Sequence, residues 1–419
     1  MQRTDRRTDR RTETVATESR RWLAALATVL ATLAAMTVVA ALGLWLAGAD
    51  SLPGGGFGAV LAATVLMALG VPAQLEGGAV FVATAQGGIT AIPLSVTLVG
   101  ALVAGVVFLR PLRLHAVVGP GELLGRVLRT AVLWVVAVVL VSLGAQHSFT
   151  VSTGEDLVDE LGSLIGAEPT VGFKVETLPA AGLGLLWLVV VLALALAVSR
   201  QAPLPSALVR FHSAVRPAAH AVLTLLLGYV GVALVVAVVA LFTRGQPRET
   251  LAVIMLGLPN LAWLGLGIGL GASWHGHVTD TIGLPMPEPL AAVLHSGQDV
   301  TLDLGTLAEQ DGRAWLLLLL AVVAVLLTGV GMAMHAPPGI PLWRHALHLA
   351  VALAVAMLLI GLLTRISAAL GLSLLGLGAR GATELEPNLL VALALGAAWG
   401  AVAGLVGGAL AGRLRRAGR

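Results

Sequence analysis

The sequence predicts an all-α fold: a polytopic transmembrane helix bundle of about eight full spans, two Pro-broken re-entrant segments and a parallel two-fold internal repeat. Three observations carry this expectation. Of 419 residues, 58% are hydrophobic and only 11% are charged, whereas soluble domains carry about 25% charged residues. Mean hydropathy is +0.95. Several apolar runs reach the roughly 17 to 25 residues that a helix needs to cross about 30 Å of hydrocarbon.

The chain opens with MQRTDRRTDRRTETVATESRR. These residues, 1–21, offer nothing to bury and are expected to form a disordered, Arg-rich cytoplasmic tail. Each Arg near a bilayer is attracted to anionic lipid headgroups by about 1 kcal/mol. A first membrane half follows at 22–200, then a cytoplasmic linker at 201–216, a second half at 217–413 and a basic tail at 414–419. Ala47-Gly48-Ala49 resembles a signal cleavage site. The apolar stretch before it is far longer than the roughly 7 to 15 residues of a signal core, so an uncleaved first span is expected.

Ordinary spans are expected at about 22–48, 93–109, 130–147, 180–198, 217–242, 315–334, 345–363 and 388–411. Two further runs, 58–72 and 250–271, contain or end on Pro72 and Pro259. Proline removes a backbone donor and clashes with the carbonyl four residues back, so both prolines are expected to break their helices. Arginine placement suggests how these runs are threaded, because cytoplasmic loops carry the excess of basic residues. If both runs enter and leave on the outer side, 19 of the 25 basic residues fall inside and six outside. If both cross, the split weakens to 15 and 10. The expected arrangement is therefore two re-entrant segments, with both termini cytoplasmic and the protein in the plasma membrane.

Laid out this way, the chain repeats span, broken segment, span, basic loop, span, outer loop, span. The broken segments align as MALGVPAQ at 67–74 and MLGLPN at 255–260. Both halves start from the inside, which predicts a parallel repeat with its axis along the membrane normal. In the last span Gly396, Gly400, Gly404, Gly408 and Gly412 recur every four residues. They form a side-chain-free ridge that another helix or a second protomer can approach closely.

Three stretches resemble the streptophobe family, very hydrophobic multi-pass membrane proteins of actinobacteria: GALVAGVVFLRPLR at 100–113, PNLAWLGLGIGLGASW at 259–274 and EPNLLVALALGAAWGAVAG at 386–404. The resemblance implies a multi-pass membrane fold and no particular activity. It brings no catalytic or binding residues to carry over.

Polar groups at membrane depth are functional candidates by default. Gln74, Glu76 and Asn260 fit that description beside the two prolines, against the competing reading that 73–92 is a water-exposed outer loop. His275, His277 and Asp280 in WHGHVTD are a weak metal candidate, since alternate residues of an extended strand share a face. The acidic segment around Glu155, Asp156, Asp159 and Glu160 suits a short amphipathic surface helix. The chain has no cysteine, and neither GxxxxGK[ST], HExxH nor GxSxG occurs. No cofactor is implied. Nucleic acid is not an expected partner, because the basic residues cluster at the ends of apolar runs and net charge is only +3. The leading expectation is a transport or small-ligand site between the halves, near Glu76 and Asn260. The alternatives are a non-transporting envelope scaffold, or a membrane-embedded transferase built on His275, Asp280 and Glu288.

Overall fold

A computed structural model describes residues 2–52, 55–79, 83–111, 120–150, 170–199, 206–243, 245–278, 299–337, 340–374 and 377–417. The chain is mostly helical: α1 (Gln2–Leu46), α2 (Phe57–Met67), α3 (Leu94–Leu109), α4 (Pro120–Gly144), α5 (Thr177–Val198), α6 (Ser206–Thr243), α7 (Pro247–Gly269), α8 (Leu304–Gln310), α9 (Trp315–His335), α10 (Leu342–Thr364) and α11 (Leu389–Ala417). Eight of these, α1, α4, α5, α6, α7, α9, α10 and α11, are long and apolar enough to cross a membrane. Their lipid-facing sides carry exposed Leu and Val, which is where a bilayer would be the solvent.

The expectation of an all-α chain needs correction. The described residues include an eight-stranded sheet of β1 (Ala73–Ala79), β2 (Ala83–Thr90), β3 (Gln146–Thr150), β4 (Thr170–Lys174), β5 (Trp274–Val278), β6 (Asp299–Leu302), β7 (Ile366–Leu374) and β8 (Leu377–Pro387). These are the segments between helices, read from sequence as outer loops. β1 and β2, AQLEGGA and ATAQGGIT, are glycine-rich, so the period-2 alternation that marks a strand is missing there. The amphipathic helix expected around Glu155 lies outside the described residues.

Two other expectations change. α1 runs from Gln2 without a Pro and with no Gly before Gly43, so the helix includes residues 2–21. Glu18 anchors the helix where it meets the membrane run, pairing with Arg21 at 3.6 Å and with Arg129 of α4 at 3.0 Å. Similarly, α6 starts at Ser206, so 206–216 of the expected linker is helical.

The larger correction concerns Pro259. It does not break a segment: α7 is one continuous helix of 23 residues with Pro259 inside it. A neighbouring helix meets the disturbed ladder. Ser95 Oγ donates to Ile254 O at 2.8 Å, one residue before the carbonyl that the proline leaves unbonded. Pro72, by contrast, stands after the end of α2, in the link to β1.

The sequence order helix, helix, hairpin, helix, helix, hairpin, helix occurs twice, with α8 inserted in the second round. The sheet order is β3-β4-β1-β2-β7-β8-β5-β6, so the second four strands repeat the pattern of the first four head to tail. The rounds meet where β2 pairs with β7, from Ala83↔Leu374 to Thr90↔Ser367. The helix packing repeats as well: α1 contacts α2, α3 and α4 as α6 contacts α7, α9 and α10.

The register of this repetition differs from the Gly-x-Pro alignment of 67–74 with 255–260. Gly70, at φ +88°, and Gly271, at φ +94°, close α2 and α7 with the same cap. Val71 N–H donates to Leu66 O at 3.2 Å and Gly70 N–H to Met67 O at 2.9 Å; Ala272 and Gly271 make the corresponding bonds to Gly267 O and Ile268 O, both at 2.9 Å. Such caps need a left-handed residue, which glycine adopts without strain. Gly70 therefore corresponds to Gly271, and Pro259 has no counterpart in Pro72.

Helix contacts are closest where glycine meets backbone. A Cβ at Gly396, Gly400 or Gly404 would lie 2.8, 2.6 and 2.6 Å from atoms of α10, so this part of the ridge is consumed within the chain. Gly408 faces Leu342 and His345, while a Cβ at Gly412 would meet nothing within 4 Å. In the first round the equivalent pair α4–α5 is held apart by Trp134, which is fully buried, donates from Nε1 to Gly184 O at 2.8 Å and stacks on Trp187 at 5.3 Å. Trp134→Phe loses that bond and part of the indole volume. It should cost about 2 kcal/mol, read as a lower midpoint in thermal unfolding of the detergent-solubilised protein.

Candidate functional site: a groove between α6 and α9

α6 and α9 run antiparallel, Arg216 and His220 lying with His335 at one end and Val232 with Leu320 at the other. Between them is a cavity of about 850 Å³. On α6 its lining repeats every four residues through Arg216, His220, Thr224 and Gly228, one face of a helix with 3.6 residues per turn. α9 answers with Leu320, Ala324, Thr328, Gly331 and His335. A Cβ added at Gly228 or Gly331 would meet nothing within 4 Å, so these glycines border open space rather than a helix contact.

One end of the groove is basic. The rings of His220 and His335 stack 6.2 Å apart, and Nδ1 of His335 lies 2.8 Å from Gly331 O, where it donates as the Nδ1–H tautomer. Among the described residues no carboxylate pairs with Arg216. Further in, the hydroxyls of Thr224 and Thr328 donate to His220 O at 2.8 Å and Ala324 O at 2.7 Å, turning toward their own helices. Tyr229, the only tyrosine of the chain, is different. It is 5% exposed, lines the cavity, and its hydroxyl has no hydrogen-bond partner among the described residues. A buried hydroxyl left unbonded costs roughly 1 to 3 kcal/mol.

The corresponding pair in the first round, α1 and α3, has no such opening at its centre. A Cβ at Gly100 would lie 2.7 Å from the fully buried Met36 and 3.4 Å from Trp187.

No family model, curated protein or solved structure matches this chain. The reading of the groove therefore rests on its geometry alone.

The polar residues singled out from sequence are not joined to one another by any hydrogen bond among the described residues. Asn260 acts as a clamp: its Oδ1 accepts from Leu94 N–H at 3.0 Å and its Nδ2 donates to Ile92 O at 2.8 Å. It thereby satisfies one of the orphan amides at the start of α3. Gln74 Nε2 donates to Glu176 Oε1 at 2.8 Å, and Glu76 is exposed on β1, in register with Gly172 and Gln86. His275 is exposed on β5 opposite Thr301 and Glu386, while Asp280 lies outside the described residues. His277 falls opposite Asp299 and Glu384 in strand register. No group of three or more metal-ligating side chains occurs among the described residues.

Sequence reasoning missed the groove. Arg216 was read with the cytoplasmic linker, and Tyr229 as part of an apolar span. The signal was present, however, in the four-residue spacing of Arg216, His220, Thr224 and Gly228 across the expected membrane boundary.

Proposed function

We propose that this multi-pass membrane protein takes an elongated amphiphile from the surrounding leaflet into the groove between α6 and α9. The observation that carries this reading is an open, mostly apolar groove with Arg216, His220 and His335 at one end, bordered by Gly228 and Gly331 where a Cβ would meet nothing within 4 Å. Small-ligand sites are mostly apolar clefts with a few converging polar groups, frequently between helices of a bundle. On this reading the ligand site lies within the second half and not between the halves. Asn260, tied to the backbone at Ile92 and Leu94, belongs to the frame rather than to the ligand.

The proposed threading follows from connectivity. Hairpins join α2 to α3, α4 to α5 and α10 to α11, so those helix ends share the sheet side. α9 also starts there, and its antiparallel partner α6 ends there, next to Gly245 and α7. α7 then begins and ends on the sheet side. Its neighbours agree: Gly43 near the end of α1 meets Leu256, Ser95 at the start of α3 meets Ile254, and Leu317 at the start of α9 meets Gly269. On this reading α2 and α7 are the two segments that do not change sides, and α3, although only 16 residues long, is a crossing of about 24 Å. The arginine distribution then puts the sheet outside, both termini in the cytoplasm and the basic end of the groove at the cytoplasmic leaflet. The repeated order of elements supports two parallel halves. The resemblance to the streptophobe family adds no residue to this proposal.

A second reading, a scaffold that transports nothing, is favoured by the close packing of α7 on α1 and α3 at the junction of the halves. The two readings separate at the groove. With one tyrosine in the chain, 3-fluorotyrosine labelling gives a single ¹⁹F resonance reporting on Tyr229. Dodecyl phosphate titrated into labelled protein in phosphatidylcholine nanodiscs should shift that resonance. Gly228→Leu, whose side chain enters open space, should fold normally and abolish the shift. An unresponsive wild-type resonance would favour the scaffold.

A further inference from the structure

We infer that the groove is selective for the headgroup, holding a phospholipid of net negative charge with its phosphate against Arg216 and a hydrocarbon chain along α6 and α9. This rests on the groove-binding reading above and names the class of ligand. Three features point to it.

The first is charge. Arg216, His220 and His335 gather at one end of the cavity, and no carboxylate among the described residues pairs with Arg216. A guanidinium presents a planar fork of donors that matches phosphate geometry. Basic pockets between transmembrane helices on the cytoplasmic side are the places where anionic headgroups bind. The second is length. From Arg216 to Tyr229 is thirteen residues of helix, about 20 Å at 1.5 Å per residue, which is the span of an acyl chain rather than of a free anion. The third is the lining. Beyond the basic end it becomes Leu225, Val232, Leu320 and Val323. A soluble phosphate would use the basic end and leave the rest of the cavity empty.

Labelled protein in phosphatidylcholine nanodiscs tests this, with the ¹⁹F resonance of Tyr229 followed as phosphatidylglycerol is added. Phosphatidylglycerol should compete for the groove about tenfold more effectively than the zwitterionic lipid. Arg216→Gln should erase that preference, and Arg216→Lys should keep most of it. Equal responses to the two lipids would overturn the headgroup inference while leaving amphiphile binding intact. A resonance that responds to neither lipid nor dodecyl phosphate would overturn the groove reading itself. Inorganic phosphate should not displace the lipid; if it alone reproduces the shift, the site belongs to a free anion and the inference fails. The comparison of the two lipids in unsubstituted protein decides the matter even if an Arg216 variant does not fold.

Discussion

Gly400→Leu should prevent α11 from seating on α10. Even the first carbon of the new side chain would lie 2.6 Å from Ala350 Cα and Leu349 O, and backbone cannot step aside as a side-chain tip can. Overpacking a core typically costs about 1 to 3 kcal/mol, and the helix must move bodily here, so the upper end is expected. Size-exclusion profiles and thermal unfolding in mild detergent should show loss of monodisperse protein. Gly412→Leu is the control: no atom lies within 4 Å of its Cβ, and its profile should match wild type. Equal behaviour of the two variants would mean that the glycine ridge does not pack as described. Small residues act this way in membranes because hydrocarbon supplies no hydrophobic drive between helices, so close backbone approach and dispersion must hold them.

Asn260→Leu should be the second large effect. It removes both ends of the clamp at once, leaving Leu94 N–H without an acceptor and Ile92 O without its donor, 166 and 168 residues away in sequence. Each buried group left unbonded costs roughly 1 to 3 kcal/mol, so a loss of about 3 kcal/mol is expected. The thermal midpoint should fall, while the ¹⁹F response of any protein that still folds stays unchanged. Asn260→Asp keeps the acceptor for Leu94 N–H and forfeits the donor to Ile92 O, which should place it between wild type and Asn260→Leu. A variant with full stability and altered ligand response would instead make Asn260 part of the binding site.

These two positions also show what was legible in the sequence. The glycine ridge was, because a four-residue period of residues without side chains has a direct packing meaning; only its partner, α10 rather than a second protomer, needed coordinates. Asn260 was conspicuous as a polar group in an apolar run, but its role was not. A side-chain amide at membrane depth can serve a ligand or a distant backbone equally well, and the residues it binds are 166 positions away. Pro259 misled for a related reason: whether a proline ends a helix depends on the tertiary surroundings, which the local sequence does not contain. The sheet was hidden because strands such as β1 and β2 lack an alternating pattern and are held by pairing with segments distant in sequence, β1 with β4 and β2 with β7. The groove escaped because it arises from a difference between two similar helix pairs. Gly100 against Met36 closes one, and Gly228 and Gly331 leave the other open.

The central claim is that this second helix pair is open because something membrane-borne belongs in it. The most direct measurement is a cryo-EM map of the protein extracted with its native lipid and without detergent. The account predicts elongated density along α6 and α9, with its head at Arg216 and its tail passing Tyr229, and no such density between α1 and α3. A map in which α6 and α9 close on each other would contradict it.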